Sequence, residues 1–126
     1  GGRSEDVKRA EWLFQEALRI APGSVLALYR YGHFLFDVLG DWTGCIGMLT
    51  RALGIPTKDA ALESDVLSQL ATAYHRRGET GDYIEAEEFY RKARALNPKG
   101  MQALGNLGTL LASKNDHKAA IKVYSR

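Results

Sequence analysis

Residues 82–98 read DYIEAEEFYRKARALNP. Within them Ala86, Tyr90, Ala93 and Pro98 form a frame: a small residue, a large one four later, a small one three later, then a proline. The same frame stands at Ala10, Phe14, Ala17 and Pro22. It returns as Cys45, Leu49, Ala52 and Pro56, with the proline one residue early, and begins again at Ala120 and Tyr124 before the sequence stops at Arg126. Residues three and four apart share one face of a helix. Each frame therefore reads as the contact stripe of a helix that a second helix approaches closely at the small positions.

A second frame lies between these. It reads Leu28-x-x-Tyr31-Gly32-x-x-Leu35, then Leu67-x-x-Leu70-Ala71-x-x-Tyr74, then Leu104-x-x-Leu107-Gly108-x-x-Leu111. The large residues fill the space between two antiparallel helices, and Gly32, Ala71, Gly108 and Ala86 let the partner come near. The turns carry Gly40-Asp41, Gly81-Asp82 and Asn115-Asp116. The glycines and the asparagine suit a left-handed residue at a helix end, and the aspartates suit the N-cap of the next helix. Glu85, Glu87 and Glu88 favour the positive end of their helix and Arg91, Lys92 and Arg94 its other half.

Composition agrees with an all-helical chain. The 126 residues are one domain's worth, 45% hydrophobic and 25% charged, which is ordinary globular usage. Strand signals are scarce, and the three prolines stand where helices end. A net charge of +2 is too small to argue for nucleic acid or an anionic membrane. The single cysteine excludes an intrachain disulfide framework and fits a reducing compartment. No signal peptide is visible, and no apolar run approaches the roughly 18 residues a membrane span needs. A cytoplasmic location is the expectation. The periodicity predicts seven helices, near 5–20, 25–39, 42–54, 58–77, 82–96, 100–113 and 116–126.

This arrangement resembles the tetratricopeptide repeat (TPR), whose frame is W-x₂-L-G-x₂-Y, then A-x₃-F, then P, at a period of 34 residues. Pro22 and Pro56 are 34 apart, as are Tyr90 and Tyr124. The resemblance covers nearly the whole chain. It departs in placing leucine in the tryptophan slot of all three copies, and in extra residues before Gly40, around Gly78-Glu79-Thr80 and over Thr57 to Glu63. Insertions in solenoids go to the connections. The resemblance implies a single all-α domain over 1–126, an α-solenoid of stacked antiparallel helix pairs forming a segment of right-handed superhelix. Residues 3–24 then hold the second helix of a truncated repeat, 25–56 a repeat, 57–98 a repeat with insertions, and 99–126 a repeat cut at its end. Both ends read as cut. The expectation is a piece of a longer chain, with the ends available for self-association.

In this family the first helix of each repeat lines a concave groove. Mapped onto this sequence, the groove stripe includes Leu26, Tyr29, Arg30, His33, Phe36 and Asp37, then Gln69, Thr72 and Arg76, then Gln102 and Asn106. Amides there can hold a peptide backbone, and Tyr29 and Phe36 suit an apolar anchor. The family's carboxylate clamp for chaperone C-termini needs Lys and Asn four apart, an Asn, then Lys and Arg four apart. Tyr29, His33, Gln69, Gln102 and Asn106 occupy those slots instead, so a chaperone tail is not the expected ligand. The expected function is a non-catalytic scaffold or adaptor segment that binds a protein or peptide, with no cofactor. An RNA-binding helical repeat is the rival. It needs cations and stacking aromatics along the groove, and the stripe offers only Arg30 and Arg76. A purely structural spacer is the third reading.

Other chemistry finds weaker footing. His33, His75 and His117 fall at different slots of the repeats and do not converge as metal ligands must. His75 and His117 are expected near turns, exposed. Cys45 occupies the slot of Ala10, Ala86 and Ala120, which reads as a small buried apolar side chain rather than a nucleophile. No glycine-rich phosphate loop is present. Phe34 is expected to face the neighbouring repeat.

Overall fold

The computed structural model describes residues 4–98, which form five α-helices and no strand. They are α1 (Glu5–Ile20), α2 (Val25–Asp37), α3 (Trp42–Leu53), α4 (Ala60–Arg77) and α5 (Asp82–Leu96). The chain is all-helical over this span, as its composition and frames predict. The expected helices at 100–113 and 116–126 lie outside the described residues, and with them His117, Gln102 and Asn106. Two compact units divide the chain, Gly1–Pro56 and Thr57–Arg126.

In the first unit, side-chain caps set the helix starts. Ser4, Ser24 and Asp41 each accept a backbone N–H three residues on, from Val7 at 3.2 Å, Ala27 at 3.1 Å and Gly44 at 2.8 Å. Helix α2 stops at Asp37 rather than at 39. Gly40 takes φ +63°, and Asp41 N–H turns back to the Leu35 carbonyl at 2.8 Å, so the last carbonyls are satisfied without another helical turn. Leu28, Tyr31, Gly32 and Leu35 of α2 are buried, as are Cys45, Leu49 and Ala52 of α3. These are the two sequence frames. Gly32 is small for a reason: a Cβ there would stand 3.0 Å from Leu49 Cδ2.

In the second unit α4 and α5 run antiparallel. Near one end of the pair Ser64 Oγ donates to the Ala93 carbonyl at 3.0 Å, and at the other Arg77 meets Asp82. Leu67, Leu70 and Ala71 are buried on α4, and Ala86, Tyr90 and Ala93 on α5. Helix α4 begins at Ala60, not 58, because Asp59 takes the cap and accepts from Leu62 N–H at 3.0 Å.

One capping expectation is overturned here. Asp82 does not cap α5. Gly81 occupies that position with φ +87°, without a side-chain cap. Asp82 is the first helical residue, and its side chain, only 6% exposed, turns back across the turn. It accepts from Arg77 Nε at 2.8 Å, Arg77 Nη2 at 3.0 Å and Glu79 N–H at 2.9 Å. The physical reason is the longer connection. Left-handed Gly78 and Gly81 bracket it, and they aim the carboxylate at the end of α4 rather than along α5.

Candidate functional site

An apolar, aromatic-walled concavity lies in the first unit, between α1 and α2. It encloses about 450 Å³, within the size range of small-ligand and side-chain pockets, and is open to solvent. Phe14 of α1 forms one wall. Leu26, Tyr29, Arg30, His33, Phe34, Asp37 and Val38 supply the rest.

Its wall is stiff. Phe14 stacks on Tyr31 at 5.7 Å between centroids and tilts against Phe34 at 5.2 Å. Phe34 therefore packs on α1. Tyr31 hydroxyl donates to Glu11 Oε2 at 3.2 Å and accepts from Gln15 Nε2 at 3.3 Å, tying α2 to α1. Burial raises the Tyr31 pKa above its ordinary value, so the phenol stays protonated and keeps donating. Above this base Leu26 and Val38 stand about half exposed. Arg30 and Asp37, two turns apart on one helix, give the rim one charge of each sign.

Five of the groove residues read from the sequence gather here: Leu26, Tyr29, Arg30, His33 and Asp37. Phe36 is half-buried and stands outside the cavity's walls. Sequence reading missed Phe14, Phe34 and Val38 as walls. Their signal was present, because Phe34 and Val38 lie one turn apart on the α2 stripe that faces Phe14.

Gln69, Thr72 and Arg76 belong to α4 of the second unit. Thr72 is drawn into its own helix pair: Oγ1 donates to the Ser68 carbonyl at 2.9 Å and lies 2.6 Å from Tyr90 hydroxyl. Gln69 is half-buried and Arg76 exposed. His75, expected exposed, is half-buried against Tyr83 with ring centroids 5.5 Å apart, and burial and then Arg76 lower its pKa. Cys45 is fully buried, and burial, followed by the Asp41 carboxylate, pushes its thiol up to about 12. That is a packing thiol, not an activated one. Among the described residues no group of three His, Cys, Asp or Glu is placed to hold a metal. No described helix is long and apolar enough to cross a membrane.

Comparison with known families agrees with the helix pairs and the buried small–large–small frames. The tetratricopeptide-repeat family profile matches residues 65–99 and again 102–126. The chain carries tetratricopeptide repeats. The first of these matches takes in most of α4 and all of α5, where the frame residues Leu67, Leu70, Ala71, Ala86, Tyr90 and Ala93 are buried.

Solved structures share the TPR fold found here. A crystal structure of MamA superposes with a TM-score of 0.81 over 95% of this chain at 24% identity, and a MamA fragment from Desulfovibrio magneticus RS-1 with 0.80 at 23%. At these identities the likeness speaks for fold alone. The chain spans 66% and 63% of those two structures. A stretch of 46 residues is 44% identical to part of a probable biofilm formation methyltransferase WspC of Pseudomonas aeruginosa. It amounts to 36% of this chain and 11% of that protein.

Proposed function

We propose that this TPR segment is a non-catalytic protein-interaction module and that the α1/α2 cavity is where it takes hold of a partner. The observation that carries this reading is the cavity itself. It pairs a rigid aromatic base with half-exposed Leu26 and Val38 and with a rim of opposite charges. An apolar side chain of a peptide fits such a site, and flanking charges on either side of it meet Arg30 and Asp37. Exposed apolar surface grouped in a concavity marks contact sites more often than accident.

The other residues of the expected groove stripe, Phe36, Gln69, Thr72, Arg76, Gln102 and Asn106, belong to this proposal as further partner-contact positions. The slots of a chaperone-tail clamp are filled by the wrong residues, so the ligand's anchor is apolar rather than a terminal carboxylate. A buried thiol that stays protonated at Cys45 gives no nucleophile to an enzymatic reading. The module acts in the cytoplasm as a scaffold or adaptor segment.

Selection from a displayed peptide library tests this. The expected binders share one large apolar residue beside at least one charge, and Leu26→Asp abolishes their binding while leaving the thermal melt unchanged. Binders indifferent to both Leu26→Asp and Val38→Asp overturn the assignment of the site.

A further inference from the structure

The outward side of α1 carries a side chain that the repeat pattern does not require. Trp12 stands two residues after the small frame residue Ala10. The same slot holds Gly47 after Cys45, Glu88 after Ala86 and Lys122 after Ala120. In α3 and α5, each packed on the helix before it, Gly47 and Glu88 are exposed. The slot therefore faces solvent even in a complete helix pair. Trp12 is 56% exposed there and is not a wall of the cavity. Tryptophan is a large apolar anchor in protein contacts, so its place in a slot otherwise small or charged points to a surface that covers it.

The charges around Trp12 have an order. Glu5 lies seven residues before it and Arg19 seven after, while Lys8 lies four before and Glu16 four after. Steps of four and seven return to one side of a helix. They set the charges about 6 Å and about 10 Å to either side of the tryptophan along the axis. The signs are opposite across it: Glu5 is matched by Arg19, and Lys8 by Glu16. Such a pattern is its own complement when read in reverse. Within the chain Lys8 reaches Glu5 at 3.5 Å and Arg19 reaches Glu16 at 2.9 Å. These are surface pairs, which contribute little by themselves.

We infer that α1 pairs with α1 of a second copy of this chain, antiparallel, about a two-fold axis at Trp12. In an isologous contact residue i meets j and j meets i. Here that rule sets Glu5 against Arg19 of the second copy, and Lys8 with Arg9 against its Glu16, on both sides of the two indole rings. The ion pair of one copy lies head to tail on that of the other, so the charges alternate. A parallel pairing sets each charge against its own like. Glu5, Lys8, Arg9 and Trp12 border an open depression, and the ion pair of the second copy fills it. One helix-on-helix contact is smaller than a standard interface, so the association is weak and shows at high concentration. It uses neither the frame residues of α1 nor the cavity.

Sedimentation equilibrium of the 126-residue chain from about 10 µM to about 1 mM reads the pairing. The average mass is expected to rise toward that of a dimer. Trp12→Ala is expected to weaken association by about tenfold or more. Glu5→Lys alone and Arg19→Glu alone each set like charges together at two places and weaken it likewise. Mixed in equal amounts, these two variants bring opposite charges together at both places and recover the dimer, which also shows that both are folded.

A chain that stays monomeric throughout overturns the inference. So do two charge variants that fail to recover on mixing. A dimer that Trp12→Ala leaves intact and Leu13→Asp or Leu26→Asp dissolves sits on another face, and also overturns it.

Discussion

Replacing Asp82 by alanine removes three hydrogen bonds from one turn. Two come from the Arg77 guanidinium and one from Glu79 N–H, all between 2.8 and 3.0 Å. Breaking a fully buried ion pair by deleting one partner costs about 3–5 kcal/mol, because a bare charge is left behind. Arg77 is not left bare. Its side chain is 21% exposed, Glu79 lies 3.3 Å from its Nε, and the Tyr74 ring sits 5.4 Å below it. The expected loss is therefore smaller, about 2–3 kcal/mol, in the range of one or two charge-assisted bonds. Asp82→Asn keeps an acceptor for Glu79 N–H and should lose roughly half as much.

Acid gives the same pair a signature. The hydrogen bonds from Arg77 hold the Asp82 carboxyl below its ordinary value, so the unfolded chain takes up this proton first. The stabilisation is complete above the ordinary carboxylate pKa of about 4 and fades as the pH falls through the lower folded value. Urea denaturation followed by circular dichroism, run from neutral to acid pH, measures this. The gap between wild type and Asp82→Ala should be constant above pH 5 or so and close below about pH 4. A neutral-pH loss under about 0.5 kcal/mol, the scatter of ordinary surface changes, refutes the reasoning, as does a gap that ignores acid.

Gly32→Leu should cost on the order of 1–3 kcal/mol or more by driving a side chain into Leu49, read as a lowered thermal midpoint in the first unit. Tyr90→Phe and Thr72→Val together form a double-mutant cycle across the 2.6 Å contact of their hydroxyls, and denaturant titration should return a coupling of about 1 kcal/mol. A peptide ending in an acidic chaperone-like tail should show no low-micromolar binding in calorimetry, because Tyr29, His33 and Gln69 offer it no cationic pair.

The frames were legible because they rest on size and spacing alone. Leu28, Tyr31, Leu35, Leu49, Leu67, Leu70 and Tyr90 are buried where the pattern puts them, and Cys45 fills a slot otherwise held by alanine. Asp82 was not legible. An aspartate after a glycine reads as an N-cap, and only the left-handed backbone at Gly78 and Gly81 turns it toward Arg77. The cavity was half legible. Its outward residues follow from helical spacing, but Phe14 and Phe34 were already accounted for as packing residues, and a side chain can form a core on one side and a wall on the other. Thr72 shows the converse. Its slot lies on the groove stripe expected from the sequence, while a hydroxyl beside a buried tyrosine finds the nearer partner.

The placement of a few chromophores and one thiol has a practical consequence. Both tryptophans, Trp12 and Trp42, and the one cysteine of the chain lie within its first 56 residues. Cys45 is sealed between α2 and α3, so a thiol reagent gains access when that pair opens, and its trapping rate counts the openings. Indole emission likewise answers for residues 1–56. An unfolding curve drawn from either signal is a record of residues 1–56, and comparison with backbone circular dichroism tells whether α4 and α5 unfold with them.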